Sequence, residues 1–210
     1  MTNRSMALLA LLLASGCAAE SYYEKGIGKW FGRDPSRIGS PVWVQGPWPE
    51  IEPSEDRDQV IDQLCPALMH MPAATAGTHG QEYCGVIYSF QGRYYASWPA
   101  PLRLDPTSAG KDCIVPNDVR DNRGRVSVVG DYHTHPWRRS PMSEKDRWKA
   151  RQRYSFRVQM DAACTVQMLI PHVHEDRPGE IYERRERRWV LIGHIYDKDS
   201  GTISPIKEAP

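Results

Sequence analysis

Two histidines one residue apart, a serine and an aspartate within residues 130–146 are the side chains best placed to do chemistry. The run reads Gly-Asp-Tyr-His-Thr-His-Pro-Trp-Arg-Arg-Ser-Pro-Met-Ser-Glu-Lys-Asp. Two neutral imidazoles and a carboxylate form a natural zinc set, and three protein ligands leave a fourth position for water. Residues 126–132 predict a strand, with Val126, Val128 and Val129 as β-branched members. On an extended strand, positions i and i+2 point to one side. His133 and His135, at the C-terminal end of this strand, can therefore aim at one point. Pro136 stops the pairing. Ser143 and Asp146 have the spacing of an N-cap and the N3 position of a capping box. That spacing places Asp146 in the first turn of a helix predicted over 143–153, beside the histidines.

A His-x-His pair alone is a weak signal, and an acid in a first helical turn can merely complement the helix dipole. The combination is more specific. His133-Thr134-His135-Pro136, a short loop and Ser143-x-x-Asp146 resemble the motif of the JAMM (MPN+ or JAB) zinc metallopeptidases. That family also carries an upstream Glu followed by a Gly and an apolar strand. Glu82-Tyr83-Cys84-Gly85-Val86-Ile87 fits, in the expected order. The resemblance covers roughly residues 56–196 and is nearest to the bacterial branch. It implies an α+β fold with a mixed sheet and packed helices, JAB/MPN-like and cytidine-deaminase-like in architecture. It further implies one Zn2+ per chain on His133, His135 and Asp146, Glu82 as general base, and Ser143 as oxyanion donor. Capping by the same Ser143 hydroxyl competes with that last role. Thr134 should face the opposite way and pack. Asp131 is either an acceptor for an imidazole N–H or a surface acid.

The elements that must position these groups read as follows. Ser54 is the expected cap of a helix over 55–64, with Val60, Ile61 and Leu64 on one face and Pro66 ending or kinking it. A strand over 82–90, a tight Gln91-Gly92 turn and a strand over 93–98 form a hairpin. Residues 99–122 are a long connection bordering the site. Further strands are expected over 164–170, 179–185 and 188–196. A second pair, His172-Val173-His174-Glu175-Asp176, follows Pro171 and lacks a Ser-x-x-Asp, so it reads as a loop. His194 reads as a strand-face residue, and the charged run 183–188 as a solvated turn.

Residues 1–17 have the form of a targeting segment: Arg4, then an apolar run too short to span a bilayer. Ala14-Ser15-Gly16-Cys17 resembles a bacterial lipobox, which implies cleavage before Cys17 and a lipid anchor on it. Ala18, where an Asp would resemble an inner-membrane retention signal, points to the outer membrane, facing the periplasm. Residues 18–55 form a Gly/Pro/Trp-rich extension or tether, and residues 56–210 the metallohydrolase domain. Trp30, Trp43 and Trp48 argue that the extension lies on the domain. Beyond Cys17, four cysteines in an exported chain suggest disulfides, with three connectivities open. The expected pair is Cys113 with Cys164, and Cys84 is the candidate for a buried thiol.

Lys and Arg total 27 against 26 Asp and Glu, so nothing in the charge implies a nucleic-acid partner. The partners implied are a peptide or protein substrate and, through Cys17, a membrane. The oligomeric state is not legible. The leading expectation is an envelope-anchored zinc peptidase or isopeptidase. The alternative is a non-catalytic MPN-type binding or scaffold lipoprotein. A metallohydrolase barrel would need about 250 residues, more than the chain has.

Overall fold

The structure, a computed structural model, describes residues 20–24, 29–33, 42–101 and 113–206. The targeting segment, Cys17 and residues 18–19, 25–28 and 34–41 of the extension lie outside them. The strands are β1 (Glu20–Glu24), β2 (Lys29–Arg33), β3 (Val42–Gly46), β4 (Cys84–Phe90), β5 (Arg93–Ala96), β6 (Asp118–Asp121) and β7 (Ser127–His135). They continue as β8 (Phe156–Asp161), β9 (Val166–Ile170), β10 (Gly179–Arg185), β11 (Arg188–Ile195) and β12 (Ser204–Pro205). The helices are α1 (Arg57–Met69) and α2 (Glu144–Arg147). One sheet has the order β1-β2-β3-β6 and the other β12-β11-β10-β9-β8-β7-β4-β5. Parallel pairing of β7 with β8 among antiparallel neighbours makes the larger sheet mixed, and with the two helices the architecture is α+β.

The two faces of the larger sheet have different chemistry. On one, Tyr83, Ile87, Tyr132, Val158 and Met160 pack against Val60, Ile61, Leu64 and Leu68 of α1. Each such side chain is worth about 1.5–3 kcal/mol when fully buried. The opposite face is polar where β7 and β8 meet. Asp131 lies beside Arg157, His133 beside Gln159 and His135 beside Asp161, and all six are buried. Further along that face, Val86 and Tyr88 of β4 pack against Val42 and Val44 of β3 and Val119 of β6. Residues of the expected tether thus enter the core, and Trp48 is fully buried.

Several expected elements are corrected. The α1 N-cap is Asp56, whose carboxylate accepts from the Asp58 N–H at 2.9 Å. Ser54 is unavailable because its main chain exchanges hydrogen bonds with Tyr94. Pro66 sits inside α1, which continues to Met69 because Cys65 and Leu68 remain buried beyond one missing N–H. The predicted helix over 143–153 is one turn long. Trp148, at φ −56° and ψ 133°, leaves the helix, and the 197–201 turn holds the chain there: Trp148 Nε1 donates to Ser200 O at 2.9 Å, and Lys149 N to Lys198 O at 2.7 Å. Strand β8 lies where no element was expected.

The disulfide expectation fails. Cys164 pairs with Cys65 of α1, and Cys113 pairs with Cys84, with Cα separations of 5.7 and 5.6 Å. Neither Cys113–Cys164 nor a free Cys84 is present. The hairpin turn is as read: Gln91 and Gly92 both take positive φ, 49° and 78°, as a two-residue turn requires.

Candidate metal centre

Strand β7 carries both histidines to its last residue, and both rings are buried. Their centroids lie 5.1 Å apart. Asp146 Oδ2 is 3.6 Å from His133 Nε2 and 3.4 Å from His135 Nε2. These gaps exceed a hydrogen bond. They match the spacing of about 3.3 Å between donors that sit about 2.0–2.1 Å from one tetrahedral ion. His133 Nε2 is buried and has no hydrogen-bond partner. An orphaned buried nitrogen is costly, and a metal would satisfy it. Among the described residues, His133, His135 and Asp146 are the one set of three with this convergence. The residues fit zinc.

The polar sheet face positions the set. Asp161 Oδ2 accepts from Ser140 N at 3.0 Å, and Gln159 Nε2 donates to Ser140 O at 2.9 Å. Ser140 Oγ, so fixed, lies 2.9 Å from His135 Nδ1 and leaves Nε2 to face Asp146. Gln167 Oε1 accepts from Met142 N at 2.9 Å just before α2. Arg157 grips Asp131 with both arms, at 2.7 and 3.2 Å, and donates to the main-chain oxygens of Asp146 and Arg151 at 2.8 and 2.9 Å. The Asp131 carboxylate therefore serves Arg157 and not an imidazole, correcting both earlier options for it. Arg157, Gln159 and Ser140 were not foreseen. The alternation of Phe156, Val158 and Met160 with Arg157, Gln159 and Asp161 was the available signal.

Ser143 and Asp146 form the expected capping box. The Ser143 N–H donates to Asp146 Oδ2 at 3.2 Å, the Asp146 N–H to Ser143 Oγ at 3.2 Å, and the hydroxyl itself is bonded to Oδ2. As placed, the Ser143 hydroxyl holds the Asp146 carboxylate, and an oxyanion role requires its release from Asp146. Thr134 does more than pack. Its N–H donates to Tyr83 O and its Oγ1 accepts from Tyr83 N, both at 3.0 Å. This clamp extends the contact beyond the Cys84–His133 pair to Tyr83 and Thr134, next to Glu82, whose charge acts on His135. Gly85 is required because Tyr132 crosses it: a Cβ there would lie 2.2 Å from the Tyr132 ring.

Electrostatics follow from this packing. Burial pushes the His133 imidazole below its ordinary pKa, favouring the neutral, ligating form. Burial also opposes charge on His135, but the nearby carboxylate of Asp146 and the charge of Glu82 outweigh it and raise that pKa. Burial alone would raise Asp146, yet the two imidazoles and Ser143 hold it far below the carboxylate range. Glu82, His133 and Asp146 face one cavity of about 160 Å³, walled by the Cys84–Cys113 disulfide, Ile114 and Val115.

The second pair does not converge. His172 is buried at φ 43°, while His174 is exposed. The His172 ring lies between Glu175 and Glu180, at 3.0 and 3.3 Å. No family model, curated protein or solved structure matches this chain.

Proposed function

We propose that this chain is a zinc-dependent amide hydrolase, a peptidase or isopeptidase of JAMM type with a JAB/MPN-like fold. It is held at the bacterial envelope by lipid on Cys17. The observation that carries the reading is the convergence of His133, His135 and Asp146 about an unpartnered His133 Nε2, with Glu82 facing the same cavity. Two disulfides fit an oxidising compartment. Among the described residues no helix is long and apolar enough to cross a membrane.

His133, His135 and Asp146 would hold the zinc. The chemistry zinc supplies at such a set is Lewis acidity toward water and toward a carbonyl oxygen. Glu82 takes the water's proton and delivers it to the departing amine. The Thr134–Tyr83 clamp fixes the reach of Glu82. Ser143 orients Asp146 and, once released, offers its hydroxyl to the developing oxyanion. Ser140 fixes the His135 ring.

The test is hydrolysis of a peptide library by the zinc-loaded protein beside Glu82→Ala. Loss of turnover in the variant supports the mechanism, and equal turnover removes Glu82 from it.

A further inference from the structure

The cavity beside the candidate metal centre is also lined by Arg151, Arg153 and Arg157. Arg157 is neutralised by Asp131 at 2.7 Å. The other two are not matched in this way. Arg153 is exposed, and its contact here is a long one, 3.5 Å from Nη1 to Val115 O. Among the described residues, Arg151 pairs with the Asp146 carboxylate, at 3.8 Å to Oδ1, on a residue already facing the histidines and bonded to Ser143. With a divalent cation at the centre, the positive charge lining the cavity exceeds that of Glu82 and Asp146. A small, partly closed site bordered by two loosely held guanidinium groups favours a planar anion that they can close on. At about 160 Å³ the cavity is below the roughly 300 Å³ of ordinary small-ligand sites, so it admits about one residue.

We propose that Arg151 and Arg153 form a carboxylate subsite, and that the substrate is a peptide with a carboxylate on the residue next to the scissile amide. The subsite rests on the hydrolase reading for its place in a reaction, but not for binding. The carboxylate is either a terminal α-carboxylate or an acidic side chain, and Ile114 and Val115 cover the apolar part of that residue.

The test uses the full chain loaded with zinc. Calorimetry on Glu82→Gln compares three matched short peptides: one ending in a glycine acid, one in a glycine amide, and one in an aspartate amide. The glycine acid, the aspartate amide or both should bind at least about tenfold tighter than the glycine amide, the worth of one charge-assisted hydrogen bond. Which of the two binds identifies the source of the carboxylate. The preference should fall toward unity in Arg151→Met/Arg153→Met, with zinc content and circular dichroism showing that the variant is folded and loaded. Equal binding of all three peptides, no binding of any, or a preference untouched by the double variant overturns the subsite. Acid-selective binding without turnover by the unmodified chain counts against the hydrolase reading and leaves the subsite standing. Turnover with no acid preference overturns the subsite alone.

Discussion

His133 and His135 end strand β7, whereas His172 and His174 follow Pro171 in a turn. The spacing is identical and the outcome is not. In the first pair the pleat keeps both rings on one face, and Asp146 arrives opposite them. In the second, His172 adopts a left-handed φ of 43°, turns inward between two glutamates, and leaves His174 in solvent. The first pair ends with a buried nitrogen that no protein group satisfies, and the second with a ring held between carboxylates. Convergence of such a set is thus decided by what the backbone does between the histidines and by an acid delivered from elsewhere.

The contrast can be broken most sharply at the metal. Asp146→Ala should lower zinc affinity by more than about 100-fold, beyond the range for residues outside the ligand set. Glu175→Ala, which removes an acid from the second pair, should leave about one zinc per chain. Elemental analysis of the two proteins reads the difference, and the reverse pattern would transfer the site to residues 172–175.

Next comes catalysis without loss of metal. Glu82→Gln should keep its zinc and slow peptide hydrolysis by about 10²–10⁴-fold. A matched loss of zinc would make Glu82 a ligand instead.

The supports should separate as well. Arg157→Met strands the buried Asp131 carboxylate and should cost about 3–5 kcal/mol in urea unfolding. Arg177→Met, at the exposed ion pair beside His172, should leave the midpoint unchanged.

The smallest effect is a titration. Burial works to raise the Glu180 carboxyl, but the His172 and Tyr182 bonds prevail and lower it. A carboxyl depressed in the folded state contributes stability above its unfolded pKa of about 4.3 and loses it as pH falls through the folded value. Carboxyl NMR should place the Glu180 midpoint below about 4.3, and His172→Ala should move it upward. An unchanged midpoint would remove His172 as the cause.

The convergence of His133, His135 and Asp146 is legible in the sequence because it is written in local rules: strand alternation for His133 and His135, and a capping box for Ser143 and Asp146. The hairpin at Gln91 and Gly92 was legible for the same reason. Strand β8 was overlooked although Arg157, Gln159 and Asp161 alternate with apolar residues. Its inward polar row looks like a solvent face until α2 and the Ser140 turn cover it. The helix over 143–153 was overextended because its stop is a set of bonds from the 197–201 turn, remote in sequence. Ser54 lost the cap to Asp56 for a comparable reason, its pairing with Tyr94.

By itself, then, the amino-acid order determined which side chains can ligate, cap and turn, since those depend on neighbours within a few residues. The fold alone decided that Cys65 meets Cys164 and Cys84 meets Cys113, because spacing does not encode which elements pack together. It also decided that Asp131 serves Arg157, that Thr134 holds the Tyr83 main chain beside Glu82, and that Arg151 and Arg153 line the cavity faced by His133 and Asp146. Each of these joins segments through burial, where an unpaired polar group costs enough to select its partner from across the chain.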